Sequence, residues 1–366
     1  MSDLTPRAIA WATTMAGHTG ARVVRAHADP GVRLGLERPI LREQREAWEA
    51  EWLVAGATLA RGAGNRERAE TPDPERTCFE RDRDRIVHST AFRRLAGKTQ
   101  VVVHPTDHQR TRLTHALEVA QVATSIARGL GVNVALAEAI ALGHDCGHGP
   151  GGHASEDAFD AFLPGGYDHG PWGADVVLTP LNLCRETLDG IRNHSWSRPT
   201  PATVEGEIVS WADRIAYCAH DLEDAVGAGI VALSDVPPAV VELAGATRRE
   251  QLSTFVREVI DTAVATGEVG MSAPVAAALA ELRAFNYECI YTRPESVAQS
   301  SAVIAVLRGL VSFYLENPER LPERPGDPEH LTRAAVAYVG GMTDRFAFDT
   351  AVSLLGWDRA RLPPPQ

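Results

Sequence analysis

Apolar residues return every three or four positions through segment after segment of this chain, and no alternating run is long enough to demand a major sheet. Ala116, Leu117, Ala120, Ala123, Ala127 and Leu130 mark one such helix, with Gly129 and Gly131 where it should stop. A second is predicted from Asn133, a natural cap, through Leu136, Ile140 and Ala141, ending at Gly143 to Gly152. Further helices are expected over 81–95, 155–162, 205–226, 248–265, 273–291, 301–315 and 331–355, with Thr99 to Val103 as the one short strand. The fold class is therefore all-α.

Turn formers and prolines gather at 62–74, at Pro237-Pro238 and at 317–328. They divide the chain into a variable helical lead-in (1–71), a core (72–237) and a C-terminal helical region packed on it (238–366). A length of 366 residues allows a large interior and an enclosed site. No uninterrupted apolar stretch approaches the ~18 residues of a bilayer span, and Met1 to Gly20 lacks the layout of a secretory signal. The expectation is a cytoplasmic protein without a membrane partner. Five scattered cysteines, Cys78, Cys146, Cys184, Cys218 and Cys289, form no C-x-x-C pair and read as reduced thiols. A net charge of −12 speaks against a general nucleic-acid coat, although arginines crowd the segment from Arg76 to Arg94. Lys98, the single lysine, carries no functional signal by itself.

Chemistry concentrates in three segments. They are Arg112-Leu113-Thr114-His115, the run His144-Asp145-Cys146-Gly147-His148-Gly149-Pro150-Gly151-Gly152-His153-Ala154-Ser155-Glu156, and Trp211-Ala212-Asp213-Arg214-Ile215-Ala216-Tyr217. Two imidazoles and two carboxylates, from His115, His144, Asp145 and Asp213, would suit a borderline divalent cation and leave positions open for water or phosphate. Adjacent residues diverge by about 100° on a helix, so His144 and Asp145 can share an ion only near a helix end. A His-Asp pair alone is usually a capped turn; the upstream histidine and downstream aspartate change that balance.

Asp213, Tyr217 and Asp221 step by four residues and share a helix face, as do Arg112 and His115. Without the metal motif, Tyr217 and Asp221 would read equally well as a polar helix edge, and Arg112 as a weak surface ion pair. Beside it they read as pocket lining and as a phosphate fork. His153 and Glu156 are spaced so that a carboxylate can orient an imidazole for acid-base or nucleophilic work, and His148 offers a phosphate donor.

These phrases, with Arg81-Asp82-Arg83-Asp84-Arg85-Ile86-Val87-His88-Ser89, Phe92-Arg93-Arg94-Leu95 and Gly341-Met342-Thr343-Asp344, resemble the deoxynucleoside triphosphate triphosphohydrolases of the HD-domain superfamily, the dGTPase-like group. The likeness is closest from Arg81 to Ala225. It implies an HD-domain helical core with added N- and C-terminal helices, and hydrolysis at the α-phosphorus to deoxynucleoside and inorganic triphosphate. It implies that His115, His144, Asp145 and Asp213 hold a divalent metal (Mn, Mg, Co, Fe or Zn), with a second Mg carried on the triphosphate. Arg112 and His148 would meet phosphate, and His153, backed by Glu156, would be the proton donor or nucleophile. Gln100 and Asp221 would bind the 3′-hydroxyl, Tyr217 would pack on the deoxyribose, and Arg214, Arg283 and Tyr291 would line phosphate and base. Arg283, Tyr287 and Tyr291 also share one predicted helix face. Further implied partners are an allosteric nucleotide or single-stranded nucleic acid, and further copies of the chain in a hexamer or tetramer. The chain departs from the usual His-Pro-Pro-Phe-Gly-His at His148-Gly149-Pro150-Gly151-Gly152-His153, which predicts a wider or looser pocket. Another HD phosphohydrolase activity, on a nucleoside monophosphate or as a phosphodiesterase, stays open, as does a nucleotide sensor without catalysis.

Overall fold

The computed structural model describes residues 4–20, 22–28, 33–101, 109–322 and 328–362. By contact it forms two compact units, Met1–Ile40 and Leu41–Gln366. The first unit holds α1 (Pro6–Thr14) and a two-stranded antiparallel ribbon, β1 (His18–Thr19) against β2 (Val24–Arg25).

The second unit begins with α2 (Arg42–Trp52). The helix expected over 81–95 is two, α3 (Cys78–His88) and α4 (Thr90–Arg94), because Ser89 leaves helical geometry and its hydroxyl caps the Phe92 amide. Next come α5 (Arg112–Leu130), α6 (Val134–Gly143), α7 (His153–Asp160), α8 (His169–Trp172), α9 (Arg185–Asn193) and α10 (Val204–Gly227). Asn133 caps α6 as expected, its side chain accepting from Leu136 N at 3.1 Å. Beyond them lie α11 (Pro238–Ala244), α12 (Arg248–Thr266), α13 (Ala273–Asn286) and α14 (Pro294–Glu316), with a π-turn over Tyr287–Tyr291. The helix expected over 331–355 is also two, α15 (Pro328–Gly340) and α16 (Asp344–Leu355). Thr343 starts the second by accepting from Phe346 N. The expected strand at Thr99 to Val103 reduces to a single bridge between Thr99 and Thr111; Val102 and Val103 lie outside the described residues.

Two apolar cores organise this unit. The larger is built on α3, α5, α6 and α10, with Ile86, Ile126, Leu136, Ile140, Ile191 and Ile208 fully enclosed. Each such side chain contributes about 1.5–3 kcal/mol on burial. The smaller joins α7 to α14, α15 and α16 through Phe159, Val306, Leu310, Val336 and Phe348. α14 is long and apolar enough, by length and composition, to cross a membrane, although Arg308 and its serines interrupt any continuous apolar run. Here Val303, Val306, Leu307, Leu310, Val311 and Tyr314 give its apolar face to the second core.

Residues 58–71 of this unit are tied into the first core by polar contacts. Buried Glu205 on α10 accepts from Thr58 N and Oγ1 and from Asn133 N. Arg66 forms an enclosed ion pair with Asp82 at 2.6 Å. The first part of the arginine-rich segment is paired in place: Glu70 takes Arg81 and Arg85, and Asp73 and Asp84 take Arg76.

Candidate active site

α6 ends at Gly143, and the chain then turns sharply, with Cys146 N donating to Gly143 O and His148 N to Asp145 O. That turn carries the polypeptide from the first core to α7 in the second. It also lets neighbours on the chain point to one place: His144 Nε2 stands 3.5 Å from Asp145 Oδ1. His115 on the first turn of α5 and Asp213 on α10 complete the cluster. His115 Nε2 lies 3.1 Å from Asp213 Oδ1 and 3.9 Å from Asp145 Oδ2, and His144 Nε2 lies 3.6 Å from Asp213 Oδ1.

Two observations fit these residues to a cation. His144 Nδ1 is 2.6 Å from the Ala141 carbonyl, which only accepts, so the ring proton is there and the lone pair is on Nε2. That Nε2 is buried and has no hydrogen-bond partner. The donor set, imidazole nitrogen with carboxylate oxygen, is the one a borderline divalent ion takes. Electrostatics agree. Burial alone would raise the Asp145 carboxyl, but Arg112, His144 and His148 hold it well below the ordinary range. Asp213 is likewise depressed against its own burial, by His115 and His144.

Arg112 is enclosed under the loop rather than free in the cavity. One guanidinium nitrogen donates to Asp145 Oδ2 at 2.8 Å, while Nε is buried without a partner. Gly152 makes room for it, because a Cβ there would stand 2.4 Å from the Arg112 side chain at a φ of +62°. The substituted loop is thus tight, not loose. Its Gly151 amide donates to Asp344 Oδ1 at 2.9 Å, and Asp344 Oδ2 accepts from Thr99 N and Oγ1. Lys98, which the sequence left without a role, is enclosed and donates to the carbonyls of His148 and Gly340. Burial pulls its ammonium down to about 8.

Above the cluster opens a cavity of about 550 Å³, a size suited to a small organic ligand. It gathers Gln100, Arg112, His148, His153, Arg214, Tyr217, Asp221, Arg283 and Tyr291, with His115, Asp145 and Asp213 at its base. Of the expected residues, His144 and Glu156 stand behind the lining. Glu156 receives His153 Nδ1 at 2.8 Å, and the His153 ring projects into the open with 72% of its side chain exposed. His148 points Nε2 to Asp145 Oδ1 at 3.1 Å and keeps a buried Nδ1 without a partner. Burial, with Arg112 and His169 nearby, keeps that imidazole neutral. Gln100 Oε1 is a further buried acceptor with no partner.

On the far wall the residues work in pairs. Tyr291 donates its hydroxyl to Asp221 at 2.6 Å, and Arg283 Nε donates to the Tyr217 hydroxyl at 2.8 Å. Burial raises the Asp221 carboxyl to about 6. Arg214 lies flat over Trp196, 3.4 Å from the ring centroid. Trp196 was not anticipated, and neither were His169 and His194, whose rings enter the base of the cavity. Neither histidine stands at a helical interval from the His144-Asp145 doublet, so periodicity gave no signal. Cys146 is buried and its thiol is pushed up to about 12, which removes it as a nucleophile at neutral pH.

The comparisons with known proteins agree with this geometry. The HD domain family matches residues 112–218, and the phosphohydrolase-associated domain family matches residues 269–352. A deoxyguanosinetriphosphate triphosphohydrolase-like protein of Caldanaerobacter subterraneus is 39% identical over 335 residues, covering 89% of this chain and 97% of that protein. The chain belongs to the dGTPase-like HD family. A similarly named member from Clostridium perfringens is 39% identical over 84% of this chain and 95% of its own length. One from Paracoccus denitrificans is 34% identical over 77% and 94%. As a member of this family the chain is a phosphohydrolase, and the HD match spans His115, His144, Asp145 and Asp213. The second matched region contains Arg283, Tyr291 and Asp344.

Proposed function

We propose that this chain hydrolyses a deoxynucleoside triphosphate at the α-phosphorus, releasing deoxynucleoside and inorganic triphosphate. The observation that carries the reading is the cavity above the His115, His144, Asp145 and Asp213 cluster, around which buried polar atoms of Gln100, Arg112, His144 and His148 stand without hydrogen-bond partners. In this reading the four residues hold a divalent cation, which when bound would polarise a phosphoryl oxygen and lower the pKa of a water.

The remaining work falls to the chain's own side chains. Arg112 holds Asp145 in its ionised form through their 2.8 Å contact and keeps a buried Nε that has no partner of its own. His148, neutral and anchored by Asp145, presents its second ring nitrogen. His153 is the group free to give a proton to the leaving oxygen, with Glu156 fixing its ring from behind. Arg214 and Arg283 offset negative charge along the phosphate chain. Gln100 and Asp221 receive the 3′-hydroxyl, while Tyr217, held by Arg283, and Tyr291, held by Asp221, close on the sugar and base.

The test is direct: the purified chain is incubated with each of the four dNTPs, and with GTP as control, in manganese or magnesium. Chromatography should find intact triphosphate and deoxynucleoside. Release of monophosphate or pyrophosphate instead would reject cleavage at the α-phosphorus.

A further inference from the structure

Three arginines line the cavity, and two of them are already engaged. Arg112 donates to Asp145, and Arg283 donates to the Tyr217 hydroxyl. Arg214 has no hydrogen bond or ion pair with any described residue, and its Nε is buried without a partner. What holds it is a ring: its guanidinium carbon stands 3.4 Å from the centroid of Trp196.

Trp196 is itself fixed. It lies three residues beyond the end of α9, and its indole N–H donates to the Ser210 carbonyl at 3.0 Å. Trp211 meets it edge-on, with ring centroids 4.7 Å apart. Ser210, Trp211 and Arg214 lie within about one turn of α10, so the helix that carries the arginine also pins the surface on which it rests. With 46% of its surface exposed, the indole is not filling a core. A guanidinium is weakly hydrated and donates only in its own plane, so stacking takes no hydrogen bond from it. Because the long side chain is ordered before a ligand arrives, less freedom is lost on binding. An unpaired edge of N–H donors on a cavity wall suits an anion rich in oxygen, as a phosphate chain is.

We propose that Trp196 is a positioning residue: by holding Arg214 flat, it sets how tightly the cavity takes a phosphate chain. The inference rests on the reading that a nucleoside triphosphate occupies this cavity, but not on which phosphorus is attacked. The indole acts through Arg214 and has no part in bond breaking.

Binding of inorganic triphosphate, the phosphate chain without its nucleoside, tests it. The full chain is supplied with manganese, and calorimetry measures its affinity for inorganic triphosphate and for deoxyguanosine. Trp196→Ala is expected to weaken triphosphate about tenfold, the size of a partly desolvated cation–π contact, with deoxyguanosine affinity and metal content unchanged. Trp196→Phe, which keeps an aromatic face, should recover most of the loss. Arg214→Lys keeps the charge but not the planar stack, so it should weaken triphosphate by itself, and adding Trp196→Ala should cost nothing more. Should Trp196→Ala not fold, Trp196→Leu keeps the bulk without the π face and carries the same expected loss. Undiminished triphosphate affinity in the folded variant overturns the proposal, as does full additivity with Arg214→Lys. A loss confined to deoxyguanosine also overturns it, and the ring is then a platform for the base. Monophosphate or pyrophosphate among the dNTP products would reject cleavage at the α-phosphorus and leave the stack standing; intact triphosphate as product, with undiminished binding in Trp196→Ala, does the reverse.

Discussion

At the residue scale, function and stability pull against each other at Asp221. Its carboxyl, enclosed on α10, is raised to about 6 by burial, against an ordinary value of 3.8. The folded state therefore binds the proton more tightly than the unfolded chain. The resulting stability is fully present below about pH 4 and is lost as pH rises through 6. Asp221→Asn should raise the unfolding free energy above pH 7 by up to about 3 kcal/mol and leave it unchanged near pH 4. Denaturant titration at the two pH values checks this, and turnover should fall if Asp221 receives the sugar as proposed. At the base of the cavity the expectation is total loss: Asp145→Ala or Asp213→Ala should abolish both turnover and bound metal, measured by product chromatography and metal analysis. His115, His144 and Asp145 were legible in the sequence because each sits where a helix begins or ends, and Asp213, inside α10, because Tyr217 and Asp221 follow it on one helix face. His169, His194 and Trp196 were not, since only tertiary packing brings them to the same place. Arg112 was legible as a site residue, but its engagement with Asp145 depends on the bare backbone of Gly152.

At the element scale, the sequence pattern located helices better than it located their breaks. Periodicity runs straight across Ser89 and across Gly341 to Thr343, because the apolar faces on either side remain in phase. The break is made by a hydroxyl capping an amide, which hydropathy does not register. The second break matters for the site, because it releases Asp344 to start α16 with its carboxylate turned to the loop before α7. Asp344→Ala would strand the amides of Thr99 and Gly151, costing about 1–3 kcal/mol each way a buried donor is left unpaired. It should lower turnover with bound metal retained, a split read by pairing kinetics with metal analysis. Gly152→Ala tests the same loop from the other side. A methyl group 2.4 Å from the Arg112 guanidinium at positive φ must displace one of them. A displacement on the order of 1 Å here should reduce turnover by about a hundredfold.

At the scale of the whole molecule, the site lies where the turn after α6 passes from one apolar core to the other, and its walls come from both. Ion binding to the folded state alone should then stabilise the entire second unit. At manganese one hundred times its dissociation constant the gain is about 2.7 kcal/mol, seen as a rise in Tm that chelation reverses. Absence of any shift would argue against a preformed ion site. Lys98 and Asp344 add a consequence in time as well as in space. The floor of the chamber is synthesised well before the bracket that fixes its wall, Gly340 and Asp344. A nascent or shortened chain that stops before Asp344 would thus hold every ion-gripping side chain and still have an unfinished vessel, keeping it idle until that residue is made.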